Sequence, residues 1–249
     1  MEVTSTEAQN NFGQYMKFAY FEDIIVTKNG KRTVVIKPYR DEQENASRVE
    51  EMAEAYKLEN QENENHNPVI QKISYEEFLK LSEESENRYE YIDGEVYLLA
   101  SPSYTHQSII VEILSVMHQW FKGKKCKALT SPFDVTLLKE ENKNVVQPDI
   151  LVICDTENVN EKDRYMGVPA LVVEVLSEST RRKDMLKKLD LYLQSGVREY
   201  WVVNPFNREV YVYFITEHDI KDFYAYKGNE TVKSIYFKGF EIPLEQIFC

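Results

Sequence analysis

Residues 170–176 read Ala170-Leu171-Val172-Val173-Glu174-Val175-Leu176, six apolar side chains around one acid. A short, continuous apolar run rich in β-branched residues is the pattern of a buried strand. A lone carboxylate inside a sheet costs several kcal/mol unless something compensates it. A divalent cation is one compensation, because hard cations prefer carboxylate oxygens. An arginine buried beside the acid is another. Downstream, Thr180 is placed to open a helix that runs to about Gln194, with Gly196 as its C-terminal cap. Glu199-Tyr200-Trp201-Val202-Val203 then forms the next strand.

Two neighbours of this run share its character. In Gln147-Pro148-Asp149-Ile150-Leu151-Val152-Ile153 an acid stands at the mouth of a strongly apolar strand. On the following helix, Asp184, Lys188 and Tyr192 fall at i, i+4 and i+8 and share one face, beside the apolar Met185, Leu189 and Leu193. Lys188 can therefore point back toward the sheet while its stem stays packed. Each feature also has an ordinary explanation. Asp149 could make a turn, Glu174 could pair with an arginine, and Asp184–Lys188 could be a surface pair of small value. Together they set an Asp, a Glu 25 residues on, and a Lys on the next helix, which chance provides less readily.

The flanking sequence supplies more strands and helices. Ser74 and Glu77 fit a capping box that opens a short helix through Phe78, Leu79 and Leu81. Arg88–Ile92 and Glu95–Leu99 flank Asp93-Gly94, a two-residue hairpin turn. A helix is expected from about Thr105 to Lys122, with Ile109, Ile110, Ile113, Leu114, Met117 and Phe121 inward. Strands follow near 126–129, 133–138 and 149–153, and the chain after 203 reads as a β-meander with a short terminal helix.

The first forty residues form a separate unit. Thr4 with Glu7 caps a helix whose apolar positions are Ala8, Phe12, Tyr15, Met16 and Ala19. Ile24–Thr27 and Thr33–Ile36 pair across Asn29-Gly30, after the short strand Glu2-Val3. Residues 41–58 lean helical, and Glu59 to Pro68 is polar linker. The expected division is 1–58, a linker over 59–70, and 71–249.

The net charge of −12 excludes a protein that coats nucleic acid with its whole surface. Residues 1–40 carry about +2 and residues 41–66 about −7, so a nucleic-acid site must be local and helped by a metal ion. The three cysteines, Cys126, Cys154 and Cys249, are read as isolated reduced thiols. No apolar run is long enough for a bilayer, and the simple reading is a soluble cytoplasmic protein without membrane contact.

On these motifs, residues 88–204 resemble the Uma-type restriction endonuclease family of the PD-(D/E)XK superfamily. The stretches that carry the resemblance are Tyr89–Glu95, His106-Gln107, Pro132–Val135, Gln147-Pro148-Asp149, Val173–Ser177, Asp184 with Lys188-Leu189, and Gly196–Trp201. The resemblance implies an α/β fold, a mixed sheet flanked by helices. It makes Asp149 and Glu174 ligands of Mg²⁺ or Mn²⁺, with Glu90 as a third carboxylate. The superfamily's usual lysine position is occupied by Leu176, and Lys188 on the next helix stands where the Uma-type lysine does. Lys188 would orient or help deprotonate the attacking water, and Tyr192 would hold the lysine. His106 is a weaker choice as general base, since a histidine at a helix start more often caps or packs.

Residues 1–40 resemble the Phd/YefM antitoxin domain, a small α+β unit. The carriers are Ser5-Thr6-Glu7-Ala8, Asn11-Phe12, Ile24–Thr27, the Asn29-Gly30 turn with Lys28, Lys31 and Arg32, and Thr33–Ile36. This resemblance implies a homodimer, DNA contacts through Lys28, Lys31 and Arg32, and a toxin partner bound through the helix that follows. Gln9 departs from the family's usual basic residue after the Glu-Ala pair. Two function classes stay open: a DNA nuclease joined to an antitoxin-like domain, or a degenerate nuclease scaffold that regulates by binding DNA or a toxin. An RNA substrate is a third.

Overall fold

The computed structural model describes residues 2–10, 12, 15, 19, 24–28, 30–37, 72–177 and 183–248, without the side chains of 10 and 183–186. The chain divides into two units, Met1–Asn67 and Pro68–Cys249. The helix expected over 41–58, the linker, Asn29, Met16 and Thr180 lie outside the described residues.

In the first unit, β1 (Glu2–Thr4) pairs in parallel with β2 (Ile24–Lys28), and β2 pairs antiparallel with β3 (Lys31–Ile36). The helix α1 (Ser5–Asn10) starts where the capping box puts it. Thr4 Oγ1 accepts the Glu7 N–H at 3.2 Å, and the Thr4 N–H donates to Glu7 Oε2 at 2.7 Å. Val3, Ala8, Ala19, Ile24 and Val26 are buried. Phe12, expected to point inward, is 52% exposed instead, and Val34 and Val35 of β3 are exposed as well. Helical spacing marks a face but does not say which partner covers it.

The second unit is a mixed α/β fold. Its larger sheet has the order β13-β12-β11-β10-β9-β6 and its smaller sheet β5-β4-β8-β7. The strands are β4 (Tyr89–Ile92), β5 (Glu95–Leu98), β6 (Lys127–Thr130), β7 (Val135–Lys139), β8 (Asn142–Val146), β9 (Ile150–Ile153), β10 (Leu171–Val175), β11 (Glu199–Asn204), β12 (Glu209–Thr216) and β13 (Asp219–Tyr226), with a small pair, β14 (Thr231–Lys233) and β15 (Glu241–Pro243). Between them lie α2 (Tyr75–Glu84), α3 (Tyr104–Phe121), α4 (Lys183–Ser195) and the short α5 (Leu244–Ile247).

Local chemistry explains most of these boundaries. Ser74 and Glu77 close the capping box at the start of α2. Asp93 and Gly94 take φ of 51° and 83°, as a type I′ turn requires. At the end of α4, the Val197 N–H reaches Tyr192 O at 3.0 Å and the Gly196 N–H reaches Leu193 O at 3.2 Å. That is the Schellman pattern, and Gly196 supplies its left-handed residue at φ 85°. β10 and β11 run parallel, joined through α4. Alternate residues of β10 face opposite ways. Leu171, Val173 and Val175 join Ile109, Ile113 and Met117 of α3 in the main core. Glu174 therefore faces away from it, toward α4.

Two expectations are corrected here. β8 was not foreseen, because Asn142-Lys143-Asn144 is polar. The buried Asn144 accepts the Asp93 N–H at 2.8 Å, a tertiary bond that periodicity does not reveal. The reduced-thiol reading of Cys126 and Cys154 also fails, since the two are disulfide-bonded. The register pairs Lys127 with Ile153 across β6 and β9, so the next positions outward are these two cysteines. Cys249 lies outside the described residues. Among the described residues, no helix is long and apolar enough to cross a membrane.

Glu199 is a second buried acid and belongs to the scaffold. Its Oε1 accepts Trp201 Nε1 at 2.6 Å, and its Oε2 accepts the N–H groups of Ile235 and Tyr236 at 2.8 and 2.7 Å and Ser234 Oγ at 3.1 Å. Replacing it leaves buried donors unpaired. Glu199→Ala is expected to lower unfolding free energy by about 3 kcal/mol in a urea titration; a change below about 1 kcal/mol would show that water takes over these bonds.

Candidate active site

Three elements converge on the outward face of β10. β9 and β10 are antiparallel, with Val173 opposite Ile150 and Val172 opposite Leu151. Carried one step further, that register brings Asp149 opposite Glu174, on the same face. Asp149 Oδ2 accepts the Val175 N–H at 2.8 Å. α4 supplies Lys188 and Tyr192 one turn apart. Lys188 Nζ lies 3.0 Å from Glu174 Oε1, and the Tyr192 hydroxyl donates to that same oxygen at 2.7 Å. The smaller sheet supplies Glu90, whose Oε1 is 2.9 Å from Lys188 Nζ and accepts the Gln147 N–H at 2.9 Å. Glu90, Glu174 and Lys188 are buried at 3%, 8% and 9% exposure.

His106, near the start of α3, completes the group. The Ser103 hydroxyl caps that helix by accepting the His106 N–H at 3.3 Å. The imidazole Nε2 sits 3.2 Å from Asp149 Oδ2, while Nδ1 is buried without a hydrogen-bond partner. A residue weighed as a cap or packing group thus contacts the acid at the mouth of β9. Tyr192 is also corrected: it holds Glu174 and not the lysine. The side chain of Asp184 is outside the described residues. Gln147, unremarked beyond its place before Asp149, ties two elements together, since its Nε2 also donates to Asp134 Oδ1 at 2.8 Å.

The electrostatics follow from three carboxylates crowded around one ammonium. Burial pushes the Glu174 carboxyl from the ordinary 4.5 up to about 7; Lys188 opposes this, while Asp149 and Glu90 add to it. Burial alone would lower the Lys188 ammonium, but Glu174 and Glu90 outweigh it and carry the group well above its ordinary value. Burial would likewise lower His106, and its bond to Asp149 with the charge of Glu174 behind it carries it up. At neutral pH Lys188 is therefore a fixed cation. It can orient a water or offset charge on a phosphoryl group, and the sequence-based role of proton acceptor does not suit it.

The donor set is chemically apt for a hard divalent ion. Among the described residues, Asp149 Oδ1, Glu174 Oε2 and Glu90 Oε2 take no protein hydrogen bond, because each acid spends its other oxygen. No three described His, Cys, Asp or Glu side chains converge as a ready ligand cage. Mg²⁺ binds through one or two carboxylates and keeps several waters, so two acids meet its need.

In the N-terminal unit, Arg32 is ion-paired with Glu2, and Lys28 and Lys31 are exposed cross-strand partners at the hairpin tip.

Both units have matches among known protein families. Residues 75–245 match the family model Uma2, described as "Putative restriction endonuclease", and residues 1–74 match "Antitoxin Phd_YefM, type II toxin-antitoxin system". Two uncharacterized proteins of Synechocystis sp., slr1290 and sll1609, are similar. The first is 29% identical over 143 residues, 57% of this chain and 74% of that one. The second is 25% identical over 132 residues, 52% and 73% respectively. The crystal structure of "a putative nuclease belonging to DUF820" from Anabaena variabilis superposes with a TM-score of 0.60 at 23% identity, covering 71% of this chain and 97% of that one. At that identity the likeness concerns the fold.

Removing the ammonium leaves two buried glutamates without a counter-charge among the described residues. In metal-free buffer, Lys188→Met is expected to lose about 3–5 kcal/mol of stability at pH 8. The loss should shrink toward pH 5. Glu174 holds its proton in the folded state up to about 7, whereas the unfolded chain gives it up near 4.5, so stability falls as pH rises through that window. Denaturant titrations at the two pH values decide it; a loss independent of pH would mean that Lys188 does not neutralise the acids.

Proposed function

Because the chain belongs to the Uma2 family of putative restriction endonucleases, we propose that it is a Mg²⁺- or Mn²⁺-dependent nuclease that cleaves DNA and carries an antitoxin-like domain at its N-terminus. The observation that carries this reading is the buried Lys188 ammonium bound to both Glu174 and Glu90 beside Asp149. A scaffold that only binds would gain nothing from three acids crowded against one cation, since an apolar cluster of similar volume would be at least as stable.

Asp149 and Glu174 would hold the ion through their uncommitted oxygens, with Glu90 Oε2 available as a third donor. When bound, such an ion lowers the pKa of a water and polarises the scissile phosphate. The protein's own groups do the positioning. The Val175 N–H and His106 fix the Asp149 rotamer, and Tyr192 fixes Glu174. Lys188, held charged, offsets the negative charge that builds on the phosphorane. In the N-terminal unit, exposed Val34, Val35 and Phe12 supply apolar surface for a homodimer. Lys28, Lys31 and Arg32 would give a DNA contact weakened by the Arg32–Glu2 pair, and a toxin partner would bind beyond β3.

Asp149→Ala and Glu174→Gln should each reduce Mn²⁺-dependent cleavage of plasmid DNA by at least about a hundredfold, with a matching loss of Mn²⁺ affinity in calorimetry. Unimpaired cleavage by both variants would sink the assignment. Absence of cleavage of DNA or RNA by the wild-type chain with either metal would leave the chain a regulatory scaffold.

A further inference from the structure

The proposed nuclease site explains the acids of β9 and β10 but not the surface beside them. Residues 113–133 contain no aspartate or glutamate, yet they hold Lys122, Lys124, Lys125 and Lys127, in a chain of net charge −12. The four lysines are exposed, and none forms an ion pair among the described residues. Lys124 Nζ lies 2.9 Å from the centroid of the Trp120 ring. Other residues of this stretch, together with Val111, line an open apolar groove of about 580 Å³ between α3 and the edge strand β6. Its walls include Val111, Leu114 and His118 from the helix and Leu129, Pro132 and Phe133 from the strand and the turn after it. Val111 is 59% exposed.

One end of this groove is tied to the backbone of Asp149. Thr130 Oγ1 and the Ser131 N–H both donate to Asp149 O, at 2.8 and 3.3 Å. His106, which contacts Asp149, precedes Val111 by five residues on α3, a rise of about 7.5 Å. The other end is the lysine turn, since α3 finishes at Phe121 and β6 begins at Lys127. An apolar groove that starts beside the Asp149 backbone and leads to a turn bearing four exposed lysines fits a particular ligand.

We propose that the groove between α3 and β6 is a track for an unpaired nucleic-acid strand, with its phosphates on Lys122, Lys124, Lys125 and Lys127 and its bases against the Val111–Leu114–Phe133 floor. Lysines supply the salt-sensitive affinity for phosphate. An apolar floor adds affinity only for bases that are out of a duplex, because a double helix keeps its base faces stacked inside. The inference rests on the nuclease reading only for what happens at the Asp149 end; binding along the track does not require cleavage.

The test is fluorescence anisotropy of the full chain in EDTA, so that binding is scored apart from hydrolysis. The probe is a labelled oligothymidylate of about 20 nucleotides, compared with a duplex of equal length. The wild-type chain should bind the single strand more tightly than the duplex, with affinity falling steeply as salt rises. The combined variant Lys122→Glu, Lys124→Glu, Lys125→Glu and Lys127→Glu should lose at least about tenfold in affinity and show a shallower salt slope. Val111→Glu, at an exposed position, should weaken the single strand by about tenfold and the duplex much less. Equal binding of both probes with no response to Val111→Glu would overturn the track, even if the Asp149 variants confirm a nuclease. So would a chain that ignores the single strand but forms a dimer split by Val111→Glu, which would assign the groove to a second copy.

Discussion

A single ammonium held between two buried glutamates sets the constraints on the larger unit. Lys188 reaches Glu174 on β10 and Glu90 on β4, strands of different sheets. For both contacts to form, α4 must lie against β10 with one rotational phase, and the smaller sheet must bring β4 up to it. The helix is fixed at its far end by the Schellman bonds from Val197 and Gly196. Tyr192, one turn beyond the lysine, then falls on the same glutamate oxygen. The Gln147 N–H adds a third tie, joining the chain just before Asp149 to Glu90. The corner where the two sheets meet is thus assembled from polar bonds that are worth most when water is excluded.

The charge balance at that corner is deliberately uneven. Among the described residues, Asp149, Glu174 and Glu90 outnumber Lys188, and His106 is the other basic group in contact. Burial makes the surplus costly, and Glu174 responds by holding a proton up to about 7. Under the proposed metal-dependent reading, a divalent cation in place of that proton would remove the same surplus. Leu176, at the position where the wider superfamily places its lysine, packs into the protein with its N–H on Val203 O at 2.9 Å. The cation enters from the helix instead.

What the sequence revealed was whatever rests on local pattern. The acid inside 170–176, the Asp93-Gly94 turn, the Ser74 cap and the inward stripe of α3 each depend on residues a few positions apart, and all stand where expected. What it hid depends on register and on distant partners. β8 opens with polar residues because Asn144 serves the Asp93 turn. His106 was discounted because nothing local places a helix start against Asp149. Cys126 and Cys154, 28 residues apart, become neighbours only through the β6–β9 pairing. Phe12 kept helical spacing and still faces out, because periodicity defines a stripe without naming what covers it.

The same distinction bears on how a negatively charged chain would engage the negatively charged polymer proposed as its substrate. Near Asp149 the protein offers carboxylates, and phosphate would be repelled there without an ion. Attraction must then come from elsewhere along the strand's path, within a Debye length of about 10 Å or by direct contact. The acid-free stretch from 113 to 133 is where the larger unit concentrates exposed lysines beside apolar surface. Under the proposed track, capture at the lysine end and chemistry at the acid end would be separate tasks. Net charge says little about such a protein, because the exposed lysines of 122–127 lie in a segment with no acid of its own.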